Sequence, residues 1–381
     1  AYFAGFLSGA RLTPVMLRRV GHVRVFAALG SFMSAALIAF PLLTEPWAWT
    51  PLRILVGFCM SGIYVTAESW LNDAATNETR GKVLSAYMIA QTLGIIGAQG
   101  LLTLGDAGTS VLFIGASILV SVSFAPILLS VSSVPVTEAA KAMPLRELFV
   151  EAPLSTVGIF LLGSVYATQS GMGAVFGTKI DLTTAQIALF IGMLFAGALL
   201  FQYPIGWLSD RMDRRKLIFG AALMGGISCA LGWMAGDQLW PLMAAAFFAG
   251  GMTTPLYALF LAYTNDFLTL EEMPAASGAL VLTFGIGAIS GPLVTGWAMQ
   301  QFGPYAFWLV LVVTFGAIAL YALYRMTKRE AIPTDETESY LGVLPTASPM
   351  AVETAGVWAA EQAEAEAEAE AETEKEHPTQ P

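Results

Sequence analysis

Eleven apolar runs of about 20 residues follow one another along residues 1–326, and this succession decides most of what the chain can fold into. A run of that length crosses a hydrocarbon core of about 30 Å as a helix. Lipid offers no partner to backbone N–H and C=O groups, so the runs require helices, which satisfy those groups internally. Strands of a membrane barrel are about half as long and alternate apolar with polar residues. The runs lie near 1–17, 24–43, 47–71, 83–104, 109–130, 153–178, 185–208, 216–236, 238–264, 274–300 and 305–326. Charged residues make up 12% of the chain, about half the share of a soluble domain, and mean hydropathy is +0.66. The expected fold class is all-α, a polytopic membrane protein.

Net charge is −10 over the whole chain, but its distribution is uneven. Residues 331–381 hold twelve carboxylates and one lysine, whereas 1–330 are close to neutral. The acidity belongs to the tail and carries no information about a substrate. With its Glu-Ala alternation from Glu361 to Glu372, the segment 327–381 reads as an acidic, disordered tail. Cys59 and Cys229 lie in apolar runs and read as small buried hydrophobes. His22 and His377 fall in a loop and in the tail, so a metal site or a histidine-based triad has little to be built from.

Lysine and arginine set the orientation. Loops on one side carry Arg18, Arg19, Arg24, Arg80, Lys82, Lys141, Arg146, Arg211, Arg214, Arg215, Lys216, Arg325, Lys328 and Arg329, and the tail adds Lys375; the opposite side has only Lys179. The positive-inside rule makes the basic side and the C-terminal tail cytoplasmic. Trp47, Trp49, Trp240 and Tyr305 gather at the outer ends, where interfacial aromatics belong.

A shift of 193 residues superimposes the two halves. Trp47 meets Trp240, Gly57 meets Gly250, Tyr64 meets Tyr257, and Asn72-Asp73 meets Asn265-Asp266. The organisation expected is a helix bundle over 1–130, a cytoplasmic linker over 131–152, a second bundle over 153–326 and the tail over 327–381. The second half starts near Pro153, and its counterpart in the first would precede Ala1, so one further N-terminal helix is expected beyond the eleven present.

The stretch from Gly206 to Arg215, Gly-Trp-Leu-Ser-Asp-Arg-Met-Asp-Arg-Arg, places a turn, the carboxylate Asp210, and Arg211, Arg214 and Arg215 at fixed spacing between two membrane runs. It resembles the signature of the major facilitator superfamily, and the resemblance covers residues 1–330. The resemblance implies two pseudo-symmetric six-helix bundles. The first-half copy is degraded: Arg18 stands where the aspartate is expected and Pro14 where the glycine is. The resemblance further implies a cytoplasmic gate. In it Asp210 faces the N-terminus of the helix beginning near Lys82, Arg211 or Arg214 pairs with Asp266, and Arg18 or Arg19 pairs with Asp73 or Glu68. The other reading is that these charges are solvated and only set topology.

Within the runs, Arg53 begins Arg-x-x-x-Gly-x-x-x-x-Gly, which resembles the family's fourth-helix motif. It is a functional-site candidate as an intramembrane charge, or it snorkels to the outer interface. Glu68 lies one turn beyond Tyr64, where it could carry a proton or bridge to the basic loop at 18–24. Its Glu-Ser-Trp-Leu context resembles a poorly characterised branch of bacterial members of the family. Tyr64, Tyr257, Gln91 and Gln169 are polar groups available to a central cavity.

The function expected is secondary active transport of a small solute by alternating access, with proton-coupled export as one version. Scarce charge at depth favours a neutral or amphipathic solute. The alternative is a non-transporting sensor or scaffold on the same fold. The sequence offers no nucleophile, metal cluster or nucleotide motif, so an enzyme and ATP-driven transport are disfavoured. No cofactor and no nucleic-acid partner are expected. The partners are solute, lipid bilayer and protons, in the bacterial cytoplasmic membrane.

Overall fold

The computed structural model describes residues 1–43, 45–76, 79–106, 108–129, 143–269, 272–329, 337, 340, 342–349, 351–352, 354 and 358; the side chains of Asp73 and Pro274 lie outside that set. Among the described residues the chain is helical. The first half holds α1 (Tyr2–Val20), α2 (His22–Leu42), α3 (Trp49–Ala74), α4 (Arg80–Leu101) and α5 (Val111–Leu129). A short α6 (Leu145–Glu151) precedes the second half. There α7 (Pro153–Ala167) runs through a π-turn (Thr168–Met172) into α8 (Gly173–Lys179) as one span. Then come α9 (Thr184–Ser209), α10 (Arg214–Met234), α11 (Leu239–Asn265), α12 (Met273–Phe302) and α13 (Ala306–Met326). Ten of these spans are long and apolar enough to cross a membrane. The first, α1, carries Arg11, Arg18 and Arg19 within 19 residues and falls outside that group.

Local chemistry explains the boundaries. Gly21 sits at φ +82° between α1 and α2, a left-handed conformation that a side chain would strain. Thr183 and Gln186 form a capping box that starts α9. Asp213 caps α10: its side-chain Oδ1 accepts the Arg215 backbone N–H at 3.0 Å.

The 193-residue repeat is physical. The shift carries α2 onto 215–235 against the observed Arg214–Met234, and α3 onto 242–267 against Leu239–Asn265. Packing follows the same rule: α1 on α3 mirrors α9 on α11, and α2 on α5 mirrors α10 on α13. One core belongs to the first half alone, and a second one centred on the second half also takes in Leu84, Met88 and Val343. Leu17, Val25, Leu29, Met33, Cys59 and Val65 fill the first, while Phe176, Phe190, Phe307 and Trp308 lie in the second.

Repeat-related glycines let the mirrored pairs approach closely. A Cβ at Gly57 would meet the carbonyl of Tyr2, and one at Gly250 the carbonyl of Leu194. Without a hydrophobic drive between helices in lipid, such backbone proximity supplies the packing. Gly250→Val is expected to lower stability by about 1–3 kcal/mol, because the obstacle is main chain and cannot rotate away. The thermal midpoint of the solubilised protein measures it; an unchanged midpoint would mean that the crossing is looser than described.

The halves touch through α1 against α12 and α4 against α9. Gln99 packs on Gly192 toward the end remote from the basic loops. At the basic-loop end, a cavity of about 430 Å³ opens between α4 and α9.

The tail departs from the expectation of a solvated segment. Residues 343–348, Ala351 and Val352 carry buried side chains, among them Val343, Ala347, Ser348, Ala351 and Val352 at 1% exposure or less. They can enter because the stretch 340–352 contains no charged residue, unlike the sequence on either side of it. The Glu-Ala alternation lies outside the described residues.

Candidate functional site

The signature segment forms the turn between α9 and α10. Arg214 is its centre: its side chain is 2% exposed and pairs with Asp266, also 2% exposed, at the end of α11. The same guanidinium donates from Nε to Ser209 Oγ at 3.2 Å and from Nη1 to the Ala262 carbonyl at 3.3 Å. Arg214 thus ties α10 to the ends of α9 and α11. The alternatives left open by the sequence resolve here: Arg214, not Arg211, reaches Asp266. Arg211 is exposed, stacked 4.4 Å over the Trp207 ring and bonded to the Trp207 carbonyl.

Arg215 holds Asp213 in a two-pronged pair, with Nε to Oδ1 at 3.0 Å and Nη2 to Oδ2 at 2.8 Å. Burial of Asp213 opposes its charge, but the side-chain and backbone hydrogen bonds from Arg215 outweigh it and hold the carboxyl below its usual range. A depressed folded-state value stabilises the fold above the unfolded value of about 3.9 and is lost as pH falls through the folded one. Asp213→Ala is therefore expected to cost about 0.5–2 kcal/mol at pH 7 through the lost cap. The deficit should shrink below about pH 3.9, which paired thermal melts of the two proteins would read.

Asp210 does not end on the N-terminus of α4. Its Oδ1 accepts the Tyr340 backbone N–H at 2.8 Å, and Arg214 stands 4.0 Å away. Gly206 in the preceding turn lies against the Tyr340 ring. The expected facing of Asp210 and α4 is thus replaced by a tail contact, because the two halves are separated here by the cavity that the tail enters.

The first-half counterpart differs more. Arg18 and Arg19 are exposed at the end of α1, and among the described residues neither forms an ion pair. Their expected partner Glu68 is engaged elsewhere, and the side chain of Asp73 lies outside the described set. In place of a charge lock, His22 opens α2 as a buried group, with Nε2 3.1 Å from Ser69 Oγ and its ring 5.6 Å from that of Trp70. The sequence placed His22 in a loop; its burial follows from the two helices meeting at Gly21 with no loop between them.

Glu68 is 3% exposed and sits six residues before the end of α3, about 9 Å of helix rise inside. Oε1 accepts the Tyr87 hydroxyl at 3.0 Å and Oε2 accepts the Ser348 backbone N–H at 3.0 Å. Bridging to the loop at 18–24 is therefore not its role here. Arg53 is exposed on α3, its guanidinium 5.6 Å from the centre of the Phe40 ring.

The remaining polar residues lie on both sides of the boundary between the halves. Tyr64 packs near Phe6 from the first half. Tyr257 is fully buried with its ring 5.4 Å from Phe284, and Gln169 is 5% exposed in the π-turn of the second. Gln169 Oε1 accepts from Thr253 Oγ1 at 3.0 Å. Among the described residues its Nε2, the Tyr257 hydroxyl and both amide atoms of Gln91 are buried without a hydrogen-bond partner. Unpaired buried polar groups are rare and call for an explanation, and π-turns are frequent at functional sites. Sequence reasoning missed Tyr87, Ser348 and Tyr340; the signal was the uncharged window with Tyr340, Val343 and Leu344 inside an acidic tail.

Comparison with known proteins follows this geometry. The chain is 24% identical over 341 residues to the uncharacterised MFS-type transporter YcaD of Escherichia fergusonii, covering 87% of this chain and 86% of that one. It is 23% identical over 326 residues to the uncharacterised MFS-type transporter YfkF of Bacillus subtilis (strain 168), covering 84% and 83%. A crystal structure of the nucleoside transporter NupG superimposes with a TM-score of 0.71 at 13% identity, over 85% of this chain and 89% of that one, which shows a common fold. Residues 1–138 match the family described as Sugar (and other) transporter. Residues 154–359, more than half of the chain, match the model described as Major Facilitator Superfamily, and with two mirrored bundles and the signature turn in place this multi-pass membrane protein belongs to that transporter family.

Proposed function

We propose that the protein moves a small neutral or singly charged polar solute across the bacterial cytoplasmic membrane by alternating access, coupled to a proton held on Glu68. The observation that carries this reading is a carboxylate 3% exposed within a membrane span, at the face where the halves separate and with a donor on each oxygen. Among the described residues this carboxylate forms no ion pair, and an intramembrane carboxylate is costly unless it serves the transport cycle. Gln169 and Tyr257 support a solute that both donates and accepts hydrogen bonds, because among the described residues the Gln169 Nε2 and the Tyr257 hydroxyl have no partner. The basic-loop end is cytoplasmic by its excess of lysine and arginine. The bundles rock about the contacts of α1 with α12 and α4 with α9.

Proteoliposomes with an entrapped pH-sensitive dye test this. Pools of neutral and monocationic metabolites are expected to drive proton movement that empty liposomes do not show, and its sign gives the direction, export by antiport being one version and uptake by symport the other. No proton movement from any pool, together with no uptake of labelled solutes, would overturn the reading and favour a scaffold.

A further inference from the structure

We propose that the groove at the basic-loop end is a docking site whose occupant is the C-terminal segment of the same chain, through Tyr340, residues 342–349, Ala351, Val352, Thr354 and Trp358, and that this segment arrests the protein with that end held open. The segment is anchored at three places. The Tyr340 N–H donates to Asp210 at 2.8 Å, and its hydroxyl accepts from Gln202 Nε2 at 2.9 Å. The Ser348 N–H donates to Glu68 at 3.0 Å. The Trp358 ring lies on Gly81, in the first turn of α4. Asp210 belongs to the second half and Glu68 and Gly81 to the first, so the segment spans both.

Its composition suits the place. Residues 340–352 are uncharged between acidic flanks, and two carboxylates in the groove meet backbone N–H donors instead of competing charges. Val343 and Leu344 line the cavity with Met88, Gln202 and Gly206. Ala351 and Thr354 line a small second pocket together with Glu68, Arg80 and Leu84. Pro345 and Pro349 reduce the freedom lost on docking. With the segment seated, α4 and α9 cannot close at this end, and Glu68 is covered. The consequence for solute rests on the transport reading above; the docking itself does not.

Thiol labelling tests the docking without any solute. Met88→Cys places a thiol at a position 6% exposed beside Leu344, and both native cysteines are fully buried, so background labelling is low. A chain ending at Arg329 is expected to label at Met88→Cys about tenfold faster with a soluble maleimide than the full chain, because the cover is removed. A synthetic peptide of residues 340–358 should restore slow labelling, and a scrambled peptide should not. Equal rates in the two chains would overturn the proposal, as would fast labelling that the peptide fails to reverse, since that marks general loosening. If the shortened chain does not fold, Val343→Asp with Val352→Asp in the full chain places two carboxylates in buried positions of the segment; slow labelling there overturns the proposal too. Fast labelling without transport of any solute by the shortened chain would sink the transport reading and leave the docking standing.

Discussion

Asp266→Ala is expected to lower the stability of the solubilised protein by about 3–5 kcal/mol, the range for removing one partner of a buried ion pair. Asp266 and Arg214 expose only 2% of their side chains, so the guanidinium left behind would have no water to turn to. Ser209 Oγ and the Ala262 carbonyl would still accept from it, and the half-exposed Asp210 carboxylate at 4.0 Å would replace the lost charge only in part. Arg214→Ala should cost a similar amount for the mirrored reason. Replacing both, Arg214→Met with Asp266→Leu, should recover much of the loss, because an apolar pair of similar volume carries no desolvation penalty. A chemical-denaturation cycle over the four proteins gives the coupling. A single-site loss under about 1 kcal/mol would class the pair with exposed salt bridges and remove it as the tie between α10 and α11.

Glu68→Gln is expected to reduce solute-driven proton movement by about two orders of magnitude, the scale of losing a positioned proton-transfer group. The substitution is nearly isosteric. The amide oxygen can accept the fixed Ser348 N–H, and the amide nitrogen can donate to Tyr87, whose hydroxyl turns to accept. Fold and expression should therefore survive while the proton carrier is lost, and exchange of labelled for unlabelled solute should continue. Glu68→Asp keeps the carboxylate but shortens its reach and should retain part of the coupled flux. Coupled flux at the original rate in Glu68→Gln would remove this residue as the carrier and leave the rest of the transport reading in place.

The fold was legible because its determinants are local and repeated. Apolar length gave the spans, and the 193-residue shift paired α2 with α10 and α3 with α11 before any contact was known. Asp266 as a partner of the signature turn was implied by the resemblance to the family, which left Arg211 and Arg214 as alternatives. Choosing Arg214 over Arg211 was not, because that depends on which way α10 starts relative to α11. Glu68 could be singled out as a carboxylate in an apolar run, but its partners lie 19 and 280 residues away and no local pattern announces them. The tail misled through averaging. Its strong net charge concealed an uncharged stretch whose burial is set by the shape of the groove rather than by the composition around it.

The bond between Glu68 and Ser348 closes over 280 residues of chain. At ribosomal rates of about 5–20 residues per second, Ser348 is made roughly 15–55 s after Glu68. During that interval the carboxylate lacks its second donor, and once α9 has joined α4 the groove stands without its cover. Seating of the C-terminal segment is thus a late event of biogenesis, available only once both bundles have been inserted. A truncated product would present a finished set of membrane spans with an unsealed interior, a difference that quality control at the membrane could read.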